Sequence, residues 1–180
     1  MRVITGSARG RRLKTPTGYD VRPTTDNVKE AVFNILRDEV EGRRVLDLFA
    51  GTGQLGIEAL SRGAREAVFV DSSAESLKTV KANLELCGFS ARCIRADAVA
   101  FLQSCGKFDV IFIDPPYDSN IYEPVLNTIN SIDILSENGI IIVESGREKE
   151  LPDMVLPYKS LREYNYGRVK IRTFTRETDS

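Results

Sequence analysis

The sequence predicts an α/β fold in which a doubly wound parallel sheet ends in a hairpin, giving seven strands in all. Short apolar runs without period-two alternation recur from residue 44 onward, as is typical of strands buried on both faces. Amphipathic segments with helical spacing lie between these runs. Such repeated strand–helix units imply parallel strands with right-handed crossovers, and 180 residues suit one domain with a small appendage.

The first 40 residues form that appendage. A basic, glycine-containing stretch, 5–14, precedes a proline-bounded turn, 15–23, and a helix that begins at Thr24 or Thr25. The helix is indicated by an apolar stripe: Val28, Ala31, Val32, Ile35 and Leu36. We therefore expect a basic extension, 1–40, made of an arm or hairpin and one helix, beside a main domain, 41–180.

The main domain alternates strands and helices. Apolar runs predict strands at 45–49, 67–70, 92–94, 108–113 and 140–143, followed by a closing hairpin, 158–164 with 169–174. One helix is expected between a capping box at Ser72 to Glu75 and a glycine stop at Gly88. A short helix is expected at 98–104, and another from the stripe Tyr122, Val125, Leu126 and Ile129.

Composition excludes several classes of enzyme. The chain has no histidine, which removes Ser-His and Cys-His nucleophiles, HExxH zinc proteases and histidine proton shuttles. Its three cysteines lack CxxC spacing, so we expect buried thiols in a reducing cytosol and no bound metal. No apolar run of about 18 residues occurs, and Met1 leads into polar Arg2. We therefore expect a cytoplasmic protein without a membrane segment or an obligatory protein partner.

Charge is distributed unevenly along the chain. The net charge of −1 argues against a polycation that coats nucleic acid. Residues 1–14 nevertheless contain no acid and five basic side chains: Arg2, Arg9, Arg11, Arg12 and Lys14. This asymmetry favours a basic arm on an otherwise neutral body, although a solvated tail would show the same pattern.

A glycine-rich loop follows the first predicted strand. Gly51, Gly53 and Gly56 form a GxGxxG pattern, whose glycines permit a tight turn, close approach to a ligand and close helix packing. Asp71 lies 71 − 51 = 20 residues further on, where an acid can bind ribose hydroxyls. Acids also end the other early strands, at Asp47, Asp97 and Asp114. By itself this pattern indicates a nucleotide site and is compatible with NAD.

Two features favour S-adenosylmethionine over NAD. Asp47 lies just before the loop, where it would repel a pyrophosphate and attract a ligand that carries an ammonium and a sulfonium. The second feature is Asp114-Pro115-Pro116-Tyr117, directly after strand 108–113. The prolines fix the backbone and remove competing N–H groups, so a carboxylate and a carbonyl can accept both hydrogens of an exocyclic amine. Tyr117 would stack on an extruded base.

These motifs resemble the RsmD family of bacterial 16S ribosomal RNA guanine-N2 methyltransferases, which have a Rossmann-like class I S-adenosylmethionine-dependent fold. The similarity runs nearly end to end, and its most specific parts are near the amino terminus: residues 2–6, 9–13 and 22–26 through Phe33-Asn34, with 47–56, 60–64 and 114–117 in the main domain. The chain departs from the family at Thr52 and Gln54, where small residues are expected. The resemblance implies one methyl transfer to N2 of guanine 966 in an assembling small ribosomal subunit.

Roles for individual residues complete this hypothesis. The cofactor, which would leave as S-adenosylhomocysteine, is expected to contact Asp47, Phe49, Ala50, Gly51, Gly53, Gly56, Asp71, Ser72, Asp97, Ala98 and Asp114. The target amine is expected at Asp114, Pro115, Pro116 and Tyr117. Phosphates of the RNA are expected at Arg9, Arg11, Arg12, Lys14 and Arg22.

Three alternatives remain open on the sequence. The same chemistry could act on adenine N6 or on a glutamine side chain, although Asp rather than Asn at position 114 argues against DNA-adenine enzymes. A non-catalytic RNA-binding assembly factor would have no use for the complete set of motifs. A small NAD-dependent oxidoreductase would need a proton donor, and neither a histidine nor a Tyr-x-x-x-Lys pattern supplies one.

Overall fold

The computed structural model describes residues 1–15, 26–37, 39–116 and 120–177. These residues form five helices and seven strands. In chain order the elements are α1 (Asp26–Leu36), β1 (Arg44–Asp47), α2 (Gln54–Ser61), β2 (Glu66–Asp71), α3 (Ala74–Cys87), β3 (Arg92–Arg95), α4 (Ala98–Leu102), β4 (Phe108–Ile113), α5 (Tyr122–Ile132), β5 (Leu135–Gly146), β6 (Tyr158–Tyr166) and β7 (Val169–Arg176).

All seven strands belong to one sheet with the order β3-β2-β1-β4-β5-β7-β6. β1 to β5 are parallel, and β7 is inserted antiparallel between β5 and β6. The chain moves outward from β1 to β3 and then returns to place β4 on the other side of β1. This reversal creates the crevice at the carboxyl ends of β1 and β4 where ligands of such sheets bind. The predicted doubly wound fold and its terminal hairpin are confirmed.

Both faces of the sheet are covered, which explains the continuous apolar runs. Val45, Phe112 and Ile142 pack with α1, α2 and α3 on one face. Their sequence neighbours pack with α4 and α5 on the other face, because successive side chains of a strand point in opposite directions. Each central strand therefore needs apolar residues at nearly every position.

Several predicted boundaries were wrong by a few residues. β5 begins at Leu135 instead of residue 140, with a register irregularity opposite Phe108. α4 ends at Leu102. The helix cap before α3 is Ser73 instead of Ser72, because Ser73 Oγ accepts the N–H of Ser76 at 3.2 Å. The start of the first helix at Thr24 or Thr25 lies outside the described residues.

Residues 1–15, here called the arm, form a packed hairpin instead of a solvated tail. Val3 N–H donates to the carbonyl of Arg11 at 2.9 Å, and Arg2 pairs with Arg12 in an antiparallel bridge. Val3, Ala8 and Leu13 are buried in the same core as α1, α2 and α3. The division into 1–40 and 41–180 stays a prediction.

The helices of the described ranges are all too short or too polar to cross a bilayer.

Candidate cofactor and substrate site

Asp47 ends β1 and anchors the helix that follows the glycine-rich loop. Its side chain is buried, and its Oδ2 accepts the backbone N–H of Gly56 at 3.0 Å. Burial, together with nearby Asp114 and Asp71, raises the pKa of Asp47 to about 8, although the Gly56 hydrogen bond acts in the opposite direction. Three carboxylates thus converge at the carboxyl edge of the sheet, and a cation bound there would favour ionisation of Asp47.

Asp71 ends β2 and holds the loop from the other side. Its Oδ2 accepts the N–H of Gly51 at 2.8 Å, and its Oδ1 accepts the N–H of Ser73 at 2.8 Å. A carboxylate has about four acceptor positions, so lone pairs remain for further donors such as ribose hydroxyls. The same acid therefore shapes the loop and keeps acceptor capacity.

The three glycines of the loop have different surroundings. A Cβ on Gly51, which has φ +52°, would meet only the carbonyl oxygen of Phe49, at 4.0 Å. A Cβ on Gly53 would lie 3.2 Å from Val80, and one on Gly56 would lie 2.3 Å from the ring of Phe69. Gly51 consequently faces open space where a ligand can approach, whereas Gly56 lets α2 pack closely on β2.

The remaining cofactor candidates lie along the same edge. Phe49 is half-buried, Ala50 and Ala98 are buried, and Ser72 is exposed. Asp97 follows β3 and caps α4, because its Oδ1 accepts the N–H of Ala100 at 3.1 Å. The structure thus brings Asp97 to the sheet edge as predicted and gives it a capping partner.

The Asp-Pro-Pro segment follows β4 directly. Asp114 is half-buried, Pro115 is buried and Pro116 is exposed, whereas Tyr117 lies outside the described residues. Asp114 also lies near Tyr122 at the start of α5, whose pKa is raised by burial and by Asp114 and Glu144. The hydroxyl of Tyr122 donates to the carbonyl of Glu144 at 3.1 Å. Tyr122, predicted only as a core residue, therefore lies within electrostatic reach of the predicted catalytic acid.

The donors and acceptors present suit S-adenosylmethionine. The acid cluster complements its positive charges, and the open side of Gly51 leaves room for it beside Asp71. Gln54, which begins α2, is 8% exposed, and its Oε1 is the buried side-chain oxygen that has no hydrogen-bond partner within the described part of the chain. An unpartnered buried amide oxygen at this position is expected where a bound molecule supplies the donor.

The predicted RNA-binding side chains form part of the arm's surface. Arg9, Arg11, Arg12 and Lys14 are exposed, and Arg22 lies outside the described residues. Sequence reasoning did not find the residues that hold the arm in place, Glu58 and Ser61 on α2 and Asn83 on α3. The signal available was an acid and a serine three residues apart on a helix with few other polar residues, which is weak.

Comparison with known proteins agrees with this arrangement. The family model described as conserved hypothetical protein 95 matches residues 1–175. The chain belongs to the RsmD family. It is 44% identical over 173 residues to YlbH of Bacillus subtilis, covering 93% of this chain and 94% of the relative. It is 36% identical over 179 residues to Ribosomal RNA small subunit methyltransferase D of Escherichia coli, covering 98% and 90%.

A solved structure agrees with the fold. The structure of yhhF from Escherichia coli superposes on this RsmD-family chain with a TM-score of 0.89 at 32% identity, covering 99% of both chains. The strand order, with an antiparallel seventh strand between β5 and β6, is that of class I S-adenosylmethionine-dependent methyltransferases. The expected family and fold are therefore confirmed, whereas the roles of individual site residues stay predictions.

Proposed function

We propose that this chain transfers one methyl group from S-adenosylmethionine to the exocyclic N2 of a guanine in 16S ribosomal RNA, guanine 966, during assembly of the small subunit in the cytoplasm. The observation that carries the proposal is the placement of Asp114-Pro115 at the end of β4, beside the acid-lined loop of β1. Family relatives named for methylation of small-subunit ribosomal RNA support the choice of substrate.

The chain's own residues position the two reactants. Gly51 and Gly53 let the loop backbone approach the methionine part of the cofactor. Asp47 attracts the positive charge of the cofactor, and Asp71 accepts hydrogen bonds from its ribose hydroxyls. Asp97 and Ala98 contact the adenine edge. When bound, the cofactor supplies an electrophilic methyl group on sulfur.

Asp114 and Pro115 act on the target amine. The Asp114 carboxylate and the Pro115 carbonyl accept its two hydrogens, which turns the nitrogen lone pair out of conjugation with the base. When the amine nitrogen receives the methyl group that the bound cofactor would supply, Asp114 takes the proton that the amine loses. Catalysis comes mainly from holding the nucleophile and the methyl group in line.

Methyl transfer to small-subunit particles that lack their native methylations tests this proposal. Labelled S-adenosylmethionine, nuclease digestion and nucleoside analysis should yield a single N2-methylguanosine. Asp114→Ala should abolish transfer while S-adenosylmethionine still binds, because Asp114 acts on the amine and the glycine-rich loop, Asp47 and Asp71 still hold the cofactor. The control is Asp109→Ala. Asp109 lies on the same strand but away from the site, and its Oδ2 accepts the N–H of Arg44 at 2.8 Å.

The negative outcomes are specific. Label in adenine or in protein would mean that the enzyme methylates an amino group of a different substrate. Cofactor binding without label in any acceptor would favour a non-catalytic assembly factor, and unchanged turnover in Asp114→Ala would remove Asp114 from the mechanism.

A further inference from the structure

Asn83 joins the arm to the cofactor loop. It lies on α3 and is fully buried. Its Oδ1 accepts the N–H of Lys14 at 2.7 Å, and its Nδ2 donates to the carbonyl of Lys14 at 3.1 Å and to the carbonyl of Thr52 at 2.9 Å. One amide thus binds both backbone groups of the last basic residue of the arm and a peptide of the glycine-rich loop.

The loop end of this connection is part of the proposed cofactor site. Thr52 lies between Gly51, whose N–H is held by Asp71, and Gly53, which caps α2. The arm reaches the same residue from its other strand, because Thr52 Oγ1 lies 3.6 Å from Met1 Sδ. A change in the position of the Thr52 peptide should therefore shift the side chain of Asn83, and through it the backbone of Lys14.

The body of the arm has separate anchors. Glu58 accepts the N–H groups of Ile4 and Thr5 at 2.8 and 2.9 Å. Ser61 Oγ accepts the N–H of Ala8 at 3.0 Å. Loss of the Asn83 amide should consequently leave the arm docked on α2 and release only the connection between Lys14 and the Thr52 peptide.

We propose that Asn83 is a positioning residue that couples occupancy of the cofactor site to RNA binding by the arm. The inference rests on the proposed function for the identity of the two ligands. A cofactor that orders the loop also orders Thr52 and, through Asn83, the backbone of Lys14, so RNA meets an arm that is already fixed. By linkage, RNA must strengthen cofactor binding by the same factor.

Two binding measurements on the full chain test the coupling. The affinity for unmethylated small-subunit particles is measured with and without saturating S-adenosylhomocysteine, and the affinity for S-adenosylhomocysteine is measured with and without particles. In the wild type each ligand should lower the dissociation constant of the other by about 5-fold or more, which is the lower end of typical coupling. Equal affinities in the wild type would overturn the proposal.

Variants separate coupling from stability. Asn83→Ala removes all three hydrogen bonds, and Asn83→Asp keeps the shape and the acceptor for Lys14 but loses both donors. Each should reduce the coupling to about 2-fold or less while S-adenosylhomocysteine still binds. The matched control is Asn130→Ala on α5, which removes a bond from Val155 N–H at 2.9 Å and should keep wild-type coupling. Wild-type coupling in Asn83→Asp would overturn the proposal if Asn83→Ala does not fold.

Hydrogen exchange tests the same connection without RNA. S-adenosylhomocysteine should slow exchange of the Lys14 amide in the wild type and in Asn130→Ala, and should have no such effect in Asn83→Ala. Protection of Lys14 without methyl transfer to RNA would contradict the proposed function and support the coupling. Methyl transfer to RNA together with equal protection of the Lys14 amide in the wild type and Asn83→Ala would support the proposed function and contradict the coupling.

Discussion

Asp47 and Asp71 hold the same loop by the same kind of bond but differ in their surroundings. Each accepts a backbone N–H of the glycine-rich segment. Asp47 is 2% exposed and faces two other acids, whereas Asp71 is half-buried and both of its oxygens accept N–H groups. The charge on Asp47 therefore depends on whether a cation lies beside it, and this dependence should be measurable.

Asp47→Asn should flatten the pH dependence of stability in the cofactor-free protein. Since the folded-state pKa of Asp47 is raised to about 8, from 3.8 in the absence of these effects, the folded state holds more protons than the unfolded state between these values, and stability falls as pH rises. Asparagine cannot titrate and can still accept the Gly56 N–H. In urea unfolding between pH 5 and 8, the free energy of unfolding of the variant should exceed that of the wild type by a margin that grows with pH, by at most about 1.4 kcal/mol per pH unit.

Asp109→Asn is the control for this measurement, because it also removes a carboxylate that accepts a backbone N–H. A pH profile of Asp47→Asn that parallels the wild type would show that Asp47 is ionised in the folded state throughout this range.

Gly56→Ala should destabilise the fold by about 1–3 kcal/mol through overpacking. The new methyl group would lie 2.3 Å from the Phe69 ring, which is itself buried between α2 and the sheet. Gly146→Ala is the matched control, because a Cβ there meets no atom within 4 Å. Thermal and urea unfolding of both variants check this, and equal stability of the two would mean that Phe69 can move aside.

At the scale of elements, α2 serves two sites at once. Its first turn receives the glycine-rich loop and its second half receives the arm, through Glu58 and Ser61. Glu58 and Lys29 on α1 are both fully buried, with Nζ and Oε2 3.6 Å apart, and Arg62 binds Glu58 at 2.9 Å. The position of the arm is thus set by a buried ionic network on a helix that begins at the proposed cofactor site.

Glu58→Gln should destabilise the protein by about 3–5 kcal/mol, because Lys29 would be left buried without its counter-charge. Adding Lys29→Met should restore part of the loss, since the two residues share one interaction. Glu66→Gln breaks a half-exposed pair with Arg44 at 2.9 Å and should cost less than about 1 kcal/mol. Urea unfolding of the wild type, Glu58→Gln, Lys29→Met, the double variant and Glu66→Gln gives the comparison, and additive losses in the double variant would contradict a direct interaction.

The same element shows what sequence patterns can and cannot predict. Strand–helix alternation predicted the sheet and placed the acids at its edge, because burial on both faces and strand direction leave few alternatives. The docking of the arm was not predicted, since Glu58, Ser61 and Asn83 bind backbone groups 53 to 69 residues away, and backbone groups carry no sequence signal. The early start of β5 was missed because Glu137 and Asn138 interrupt its apolar pattern.

At the scale of the whole molecule, the arm combines a buried side with a charged surface, and the two should be separable. Replacing Arg9, Arg11, Arg12 and Lys14 by alanine should leave the unfolding midpoint nearly unchanged, because these side chains are exposed. RNA affinity should fall, and the slope of log K against log salt should decrease by about 0.7–0.9 for each phosphate that the arm no longer neutralises. Filter binding or fluorescence titration at several salt concentrations measures both.

Leu13→Ala provides the opposite case. Leu13 is buried in the core shared with α1 and α3, so truncation should cost about 2–5 kcal/mol of stability and leave the salt slope unchanged. An unchanged slope in the fourfold variant would place the RNA-binding surface elsewhere.

The order in which the chain is synthesised adds a constraint on how the arm reaches its place. Residues 1–15 leave the ribosome before Glu58, Ser61 and Asn83 have been made, so only the bonds within the hairpin, such as that from Val3 N–H to Arg11, can form at first. During this interval the arm presents basic side chains and unburied apolar ones together, next to the ribosome's own RNA. Docking onto α2 and α3 then buries the apolar side and leaves the charges outside.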